Sequence, residues 1–297
     1  MSAAEAARRA RVRLDELLVA RGLAVSRAEA ARLILAGQVR LPGGVAPKPG
    51  RFVSAGTALE RVAPAPFVGR GGEKLAAALD AFAVRVEGRV CLDVGASTGG
   101  FTDCLLSRGA RHVHAVDVGQ GQLHPRLRGD SRVSVWEGVN ARHLAPDRFP
   151  ELPSLATIDV SFISLAKVLP AVASCVAASA EIVALVKPQF EAGPAEVGKG
   201  GVVRAWTARR AAVRSVADAA RALGFGVAGV AASALHGPKG NREVFLRLAR
   251  GTAAPASLEG DRFEAALAAE VPATPEPARP GERRPPSRAP GRARARG

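Results

Sequence analysis

From Val12 onward the chain alternates small apolar clusters with polar, often basic, intervals. Leu14, Leu17 and Leu18 fall on one face of a helix that Gly22 is placed to end. Ser26 is placed to cap a second helix carrying Ala30, Leu33 and Ile34, with Gly37 at its end. Strand-like pieces around Val39 and Leu41, a Gly43-Gly44 turn and a piece near Leu59 complete a small α+β unit over residues 11–62. The Pro/Gly-rich stretch 63–70 has no period and predicts a linker. Beyond it, residues 71–250 switch between two periods. Helices are predicted over 73–84, 99–108, 165–178 and 206–223, and seven strands at 89–95, 112–118, 133–136, 155–160, 181–188, 226–233 and 242–248. This alternation predicts an α/β, doubly wound, Rossmann-like sheet, mostly parallel, with the last two strands as an antiparallel edge. The ends follow neither period. Residues 1–10 are expected to be flexible, and 251–297, rich in Ala, Pro and Arg, to form a disordered cationic tail.

Charge adds a partner class. The 297 residues carry 42 Lys and Arg against 27 Asp and Glu, a net charge of +15. That excess favours a polyanion, either nucleic acid or an anionic membrane surface. Cys91, Cys104 and Cys175 lie in apolar surroundings without CxxC spacing and read as core residues of a reducing compartment. Charges interrupt the first residues where a secretion signal needs its apolar stretch, and no run approaches the roughly 18 apolar residues of a membrane span. A cytoplasmic protein with no membrane span and no metal is expected.

The segment "CLDVGASTGGFTDCLL", residues 91–106, reads as strand, glycine turn and helix. It lacks the lysine of a P-loop, and its glycines at 95, 99 and 100 do not make G-x-G-x-x-G. Asp-x-Gly-x-x-x-Gly suits S-adenosylmethionine, which has no pyrophosphate to cradle. Its amino-acid moiety needs close backbone approach, at Gly95, Ala96, Ser97, Thr98, Gly99, Gly100 and Phe101, and Asp93 is placed to engage the methionyl end, directly or through water. Asp117, closing the next strand, is placed for the ribose hydroxyls. Asn140 and Ala141, after the third strand, are candidates for adenine contacts.

The acceptor is constrained by what is missing. The fourth strand ends in "IDVSFISL", not in the Asn/Asp-Pro-Pro-aromatic of amine methylation, and no cysteine is placed for attack on a base. Lys74, Asp159, Lys187 and Glu243 instead sit at or near element ends, with Asp159 and Lys187 expected to face one another across the crevice. Asp159 counts among the donor-site candidates as well. A ribose 2′-hydroxyl, a poor nucleophile, must lose its proton as it attacks the sulfonium methyl. A lysine with a second cation nearby could accept or guide that proton, with the acids orienting the pair.

Two resemblances sharpen this reading. "RLDELLVARGLAVSRAEAARLILAGQVRL" resembles the S4-like RNA-binding module, which implies that Arg13, Arg21, Arg27, Arg32 and Arg40 form an RNA-docking face. "GRGGEKL", "DVGASTGGFTDCLL", "AVDVG", "IDVSFISL", "LVKPQFE" and "KGNREVF" together resemble the TlyA family within the FtsJ-like 2′-O-methyltransferases. That resemblance implies a class I methyltransferase fold, S-adenosylmethionine as donor, and a Lys-Asp-Lys-Glu tetrad at Lys74, Asp159, Lys187 and Glu243. It further implies cytidine 2′-O-methylation in ribosomal RNA, with ribosomal subunits as partners, and the full N-terminal stretch points to both subunits. Glu73, an acid just before the first lysine, departs from the family pattern, as does the Arg/Pro tail. The family also carries a hemolysin label, so a membrane-active toxin is a rival reading, and a noncatalytic ribosome-binding factor is another.

Overall fold

The computed structural model describes residues 10–35, 37–42, 44–45, 48–63, 66–198, 200–251 and 255–273. The expected flexible N-terminus, apart from Ala10, lies outside these residues, as does the tail beyond 273.

In the N-terminal unit, β1 (Arg11–Arg13) leads into α1 (Leu14–Ala20), and α2 (Arg27–Leu35) follows. The start of α2 is a reciprocal cap. The Glu29 amide donates to Ser26 Oγ at 3.2 Å, and the Glu29 carboxylate accepts from the Val25 amide at 2.7 Å. Three short strands, β2 (Val39–Leu41), β3 (Gly44–Val45) and β5 (Glu60–Arg61), form one sheet, and β4 (Phe52–Ser54) pairs antiparallel with β1. Leu14, Leu18, Ala30, Ile34 and Val39 are buried together, so the unit has its own core.

The larger unit begins earlier than its periodicity suggests. Helix α3 spans Arg70–Ala81, and the chain entering it is already tied down, since the Val68 amide donates to Asp103 at 2.8 Å. The end of the expected linker thus belongs to this unit. Strand β6 (Val90–Val94) is followed by α4 (Gly100–Ser107), β7 (His112–Asp117), α5 (Pro125–Arg128) and β8 (Val133–Glu137). Then come β9 (Leu155–Ile158), α6 (Leu169–Ser174), β10 (Ala180–Val186), α7 (Pro188–Glu191), α8 (Trp206–Ala222), β11 (Gly226–Ala232) and β12 (Val244–Arg250). The seven strands lie in the order β11-β12-β10-β9-β6-β7-β8. β6 pairs parallel with β7 on one side and β9 on the other, while β12 runs antiparallel to β10 and β11. Strand order reverses at β6, so a crevice opens between the carboxyl ends of β6 and β9, where such sheets bind ligands.

Several boundaries move, with consequences. The expected helix over 165–178 is a 3₁₀ turn (Leu165–Lys167) and a short α6, with Cys175 capping its end instead of lying inside it. Pro170 lacks an amide donor, and it falls in the first turn of α6, where none is needed. Glu243 stands one residue before β12, and Lys187 one residue after β10. The tail expectation fails in part. Residues 260–270 form a helix, α9, whose Phe263 and Leu267 are buried. Its Glu264 pairs with Arg214 of α8 at 2.6 Å, Glu270 accepts from the Ala232 amide at 2.6 Å, and the Leu258 amide just before it donates to the Val227 carbonyl at 2.6 Å. An apolar pair four residues apart is enough to dock an Ala-rich helix on a waiting groove.

Candidate active site

The crevice is a cleft of about 470 Å³. Its floor is the strand-to-turn junction at Gly95, which takes φ +88°; a Cβ there would lie 2.4 Å from the Asp159 carbonyl oxygen. Only a residue without a side chain lets the β6 and β9 tips meet this closely. Ser97, at φ 49°, is held in the left-handed region because its amide donates to Asp117 Oδ2 at 2.8 Å. Asp117 Oδ1 accepts from the Gly119 amide at 2.7 Å, so its carboxylate is fixed by backbone at the cleft wall. Asn140 and Ala141 line the same cleft. The Asn140 side-chain oxygen is engaged in capping a 3₁₀ turn, accepting from the Arg142 amide at 3.1 Å.

The remaining donor-site candidates separate from these. Asp93 is fully buried under the turn, accepting from Thr102 Oγ1 at 2.7 Å and Thr157 Oγ1 at 3.1 Å, and it does not line the cleft. Burial pushes its carboxyl up to about 7. The expected contact with a methionyl group is corrected: Asp93 lies in a strand whose every residue is buried, and it anchors the turn from below. Ala96, Gly99, Gly100 and Phe101 also face protein, whereas Thr98 is exposed but lies outside the cleft lining. A Cβ on Gly99 would meet Leu127 at 2.3 Å, one on Gly100 would meet the Gly72 amide at 2.9 Å, and the Phe101 ring is buried against Phe245. Thr98 Oγ1 packs on Gly69. Sequence spacing marks the whole turn, whereas only Gly95 and Ser97 of it reach the cleft.

At the mouth, Lys187 Nζ lies 2.6 Å from Asp159 Oδ1 and donates an aligned hydrogen bond to Ser161 Oγ at 2.8 Å. Deeper in the protein, Lys74 Nζ meets Glu243 Oε2 at 2.5 Å, with Glu243 buried and Lys74 nearly so. Each lysine is thus held by one of the two acids expected to orient them, Lys187 by Asp159 and Lys74 by Glu243. Strand register explains the convergence. Val186 pairs with Val244, so one step further Lys187 stands opposite Glu243, while Asp159 ends the adjacent strand. Lys74 reaches in from the second turn of α3 instead of opening the helix. Gly237 leaves room for the buried carboxylate, since a Cβ there would lie 2.1 Å from Glu243 Oε1.

Sequence reasoning missed the loop after β9. Phe162 lines the cleft, is 92% exposed and takes φ +63°, with its ring centroid 5.1 Å from that of Phe190. Gln122, also on the wall, carried no motif signal, and Ser161, though inside "IDVSFISL", was given no role. In the N-terminal unit the five arginines do not act alike. Arg13 and Arg27 flank the buried Asp15 at 2.8 and 3.6 Å, and Arg13 holds that carboxyl below the usual range. Arg21 donates to the Ala55 carbonyl at 2.7 Å, Arg40 lies 3.9 Å from Glu60, and Arg32 is exposed on α2.

Comparison with known proteins supplies a family for this fold. The FtsJ-like methyltransferase family matches residues 67–250, and the S4 domain matches residues 12–59. The 16S/23S rRNA (cytidine-2′-O)-methyltransferase TlyA of Mycobacterium tuberculosis is 53% identical over 256 residues, covering 86% of this chain and 95% of its own. Hemolysin A of Brachyspira hyodysenteriae is 40% identical over 233 residues, covering 78% of this chain and 97% of its own. A solved structure of a Streptococcus thermophilus protein described as a hemolysin superposes with TM-score 0.67 at 40% identity, covering 88% of this chain and 96% of that one. With an S4 domain ahead of a methyltransferase sheet, and this identity across nearly the full length of such relatives, the chain belongs to the TlyA family of FtsJ-like methyltransferases.

Proposed function

We propose that this methyltransferase uses S-adenosylmethionine to methylate the ribose 2′-oxygen of cytidine in ribosomal RNA, in 16S and 23S RNA alike. The observation that carries the reading is the Lys187–Asp159 pair at the mouth of the cleft, backed by the buried Lys74–Glu243 pair. The cleft fits the donor in size and chemistry: about 470 Å³, open backbone at Gly95, a fixed carboxylate at Asp117, and apolar walls from Val118, Val139 and Val168. When bound, its sulfonium supplies the electrophilic methyl group.

The chain's own residues do the rest. Asp117 takes the donor's ribose hydroxyls, and Asn140 and Ala141 border its base. Lys187 Nζ, fixed by Asp159 and Ser161, meets the acceptor oxygen and orients it for attack, and the 2′-hydroxyl proton passes to solvent at the open mouth of the cleft. Lys74 and Glu243 hold the buried flank of the site. Because the attack is a simple in-line displacement, holding oxygen and methyl in line accounts for much of the acceleration. Residues 11–62 dock the RNA, the stretch that starts at 63 joins the units, and the larger unit, which begins by Val68 and helix α3, performs the transfer.

The test uses labelled S-adenosylmethionine with unmodified small and large ribosomal subunits, and nucleoside mass spectrometry of the product. 2′-O-methylcytidine from both subunits, lost in Lys187→Ala while donor binding persists, is the expected result. Donor binding without transfer to either subunit would overturn the acceptor assignment, and absence of donor binding would favour the noncatalytic factor. For the membrane-active reading, no helix among the described residues is long and apolar enough to cross a bilayer.

A further inference from the structure

We propose that Glu191 is a positioning residue for the acceptor side of the cleft, acting through Phe162; the inference rests on the function proposed above. Phe162 poses a physical question. It is a bulky residue in the left-handed region, and its ring is almost wholly in solvent. Neither intrinsic preference nor burial supports that conformation, which persists only where neighbours impose it.

The neighbours are the five residues that follow β10. Lys187 grips the start of the loop through Asp159 and Ser161. Phe190 lies against the Phe162 ring. Glu191 grips the far end, accepting from Ser164 Oγ at 2.6 Å and from the Leu165 amide at 2.7 Å. Glu191 is half-buried and both its carboxylate oxygens are engaged, so it is a structural acceptor and not a solvated surface charge. The short helix α7 is thus a clamp whose first jaw is the lysine assigned to the acceptor oxygen and whose last jaw is Glu191.

What the clamp presents is a ridge between two hollows. Phe162 and Ile163 line both the donor cleft and a neighbouring open hollow of about 550 Å³, which is rimmed by Arg142 and Lys167. An exposed aromatic ring that shares a hollow with two cations is the equipment for a single-stranded nucleotide, with a base on the ring and phosphates on the cations. On this account Glu191 touches neither donor nor RNA. It keeps Phe162 upright where the strand must be splayed.

The experiment pairs a structural and a kinetic readout in the full-length protein. In Glu191→Ala, hydrogen exchange at the Leu165 amide speeds up, S-adenosylmethionine affinity is unchanged, and KM for the ribosomal subunit rises about tenfold with kcat within about threefold. Glu191→Gln recovers most of the loss, because an amide can accept from Leu165 and donate to the Ser164 hydroxyl. In a Phe162→Ala background, Glu191→Ala adds nothing further to KM, whereas a merely structural residue would add its effect. Unchanged exchange at Leu165, an additive double variant, or a Gln variant as impaired as Ala would each overturn the inference. If the wild-type protein methylated no ribosomal RNA, the functional reading would fall, and exchange at Leu165 would still decide whether the clamp exists.

Discussion

Replacing Asp93 by asparagine tests whether the anchor beneath the glycine turn is an acid that the fold would prefer neutral. Burial raises its carboxyl from an ordinary value near 3.8 to about 7. Between those values the folded chain keeps a proton that the unfolded chain has released, so stability falls as pH rises through this window and the loss is complete above about 7. At about 1.4 kcal/mol per pH unit, the penalty is on the order of 2 kcal/mol at pH 5 and 4 kcal/mol at pH 8. An asparagine carbonyl can accept from Thr102, and its amide can donate to Thr157, whose hydroxyl rotates to suit, so the variant keeps both contacts without the charge. Asp93→Asn is therefore expected to be the more stable protein at pH 8, with an advantage that shrinks toward pH 5. Calorimetric scans of full-length protein across this range measure it, at about 2–4 °C per kcal/mol for a domain of this size. Donor affinity should stay within about threefold, because Asp93 does not reach the cleft. A variant destabilised equally at every pH would refute the argument from burial, and a hundredfold loss of donor affinity would restore Asp93 as a ligand.

Gly95→Ala should cost several kcal/mol and weaken donor binding at least tenfold, since the new methyl meets the Asp159 carbonyl and the φ is unfavourable; near-wild-type calorimetric binding would contradict the close strand contact. Leu267→Ala, with its side chain fully buried, should lower unfolding stability by about 2–5 kcal/mol in urea titrations, and a change below about 0.5 kcal/mol would mean α9 does not pack as described. Arg32→Ala should weaken RNA binding and reduce its salt slope by about one while leaving the N-terminal unit folded, whereas Arg27→Ala also loosens the Asp15 cluster and should lower thermal stability as well. Equal behaviour of the two variants in both assays would show that the ion pairs do not divide structural from docking arginines.

How much of this was legible depends on what each signal encodes. The sheet was readable because parallel strands buried on both faces are apolar runs, and β6, β9 and β10 are such runs. The strand-end residues Asp159 and Lys187 could be placed by topology alone. Side-chain direction could not. Asp93 looked like a ligand because motifs record neighbours in sequence, although an acid within a wholly apolar strand is a sign of burial. Phe162 in "VSFIS" reads as an apolar continuation of the strand, and its outward, left-handed setting depends on Glu191, nearly thirty residues away. Helix α9 was missed because Ala and Glu dominate it and only Phe263 and Leu267 mark its buried stripe, within a region whose composition otherwise suggests no fold. The two ion pairs depend on the register between β10 and β12, which no local pattern states.

The placement of the last described helix has a consequence in the order of synthesis. Strand β11 ends the sheet on its side, and the groups that close its outer edge, the Leu258 amide and the Glu270 carboxylate, leave the ribosome after the strand itself. Until they arrive, the nascent sheet offers unpaired backbone donors and acceptors to any other strand, the ordinary route to edge-to-edge aggregation. A chain cut after Arg250, where the FtsJ-like match ends, would contain every residue assigned to chemistry and still carry that open edge. Such a fragment should fold its site and yet associate with itself. The segment that looks dispensable by composition is what covers that edge of the sheet.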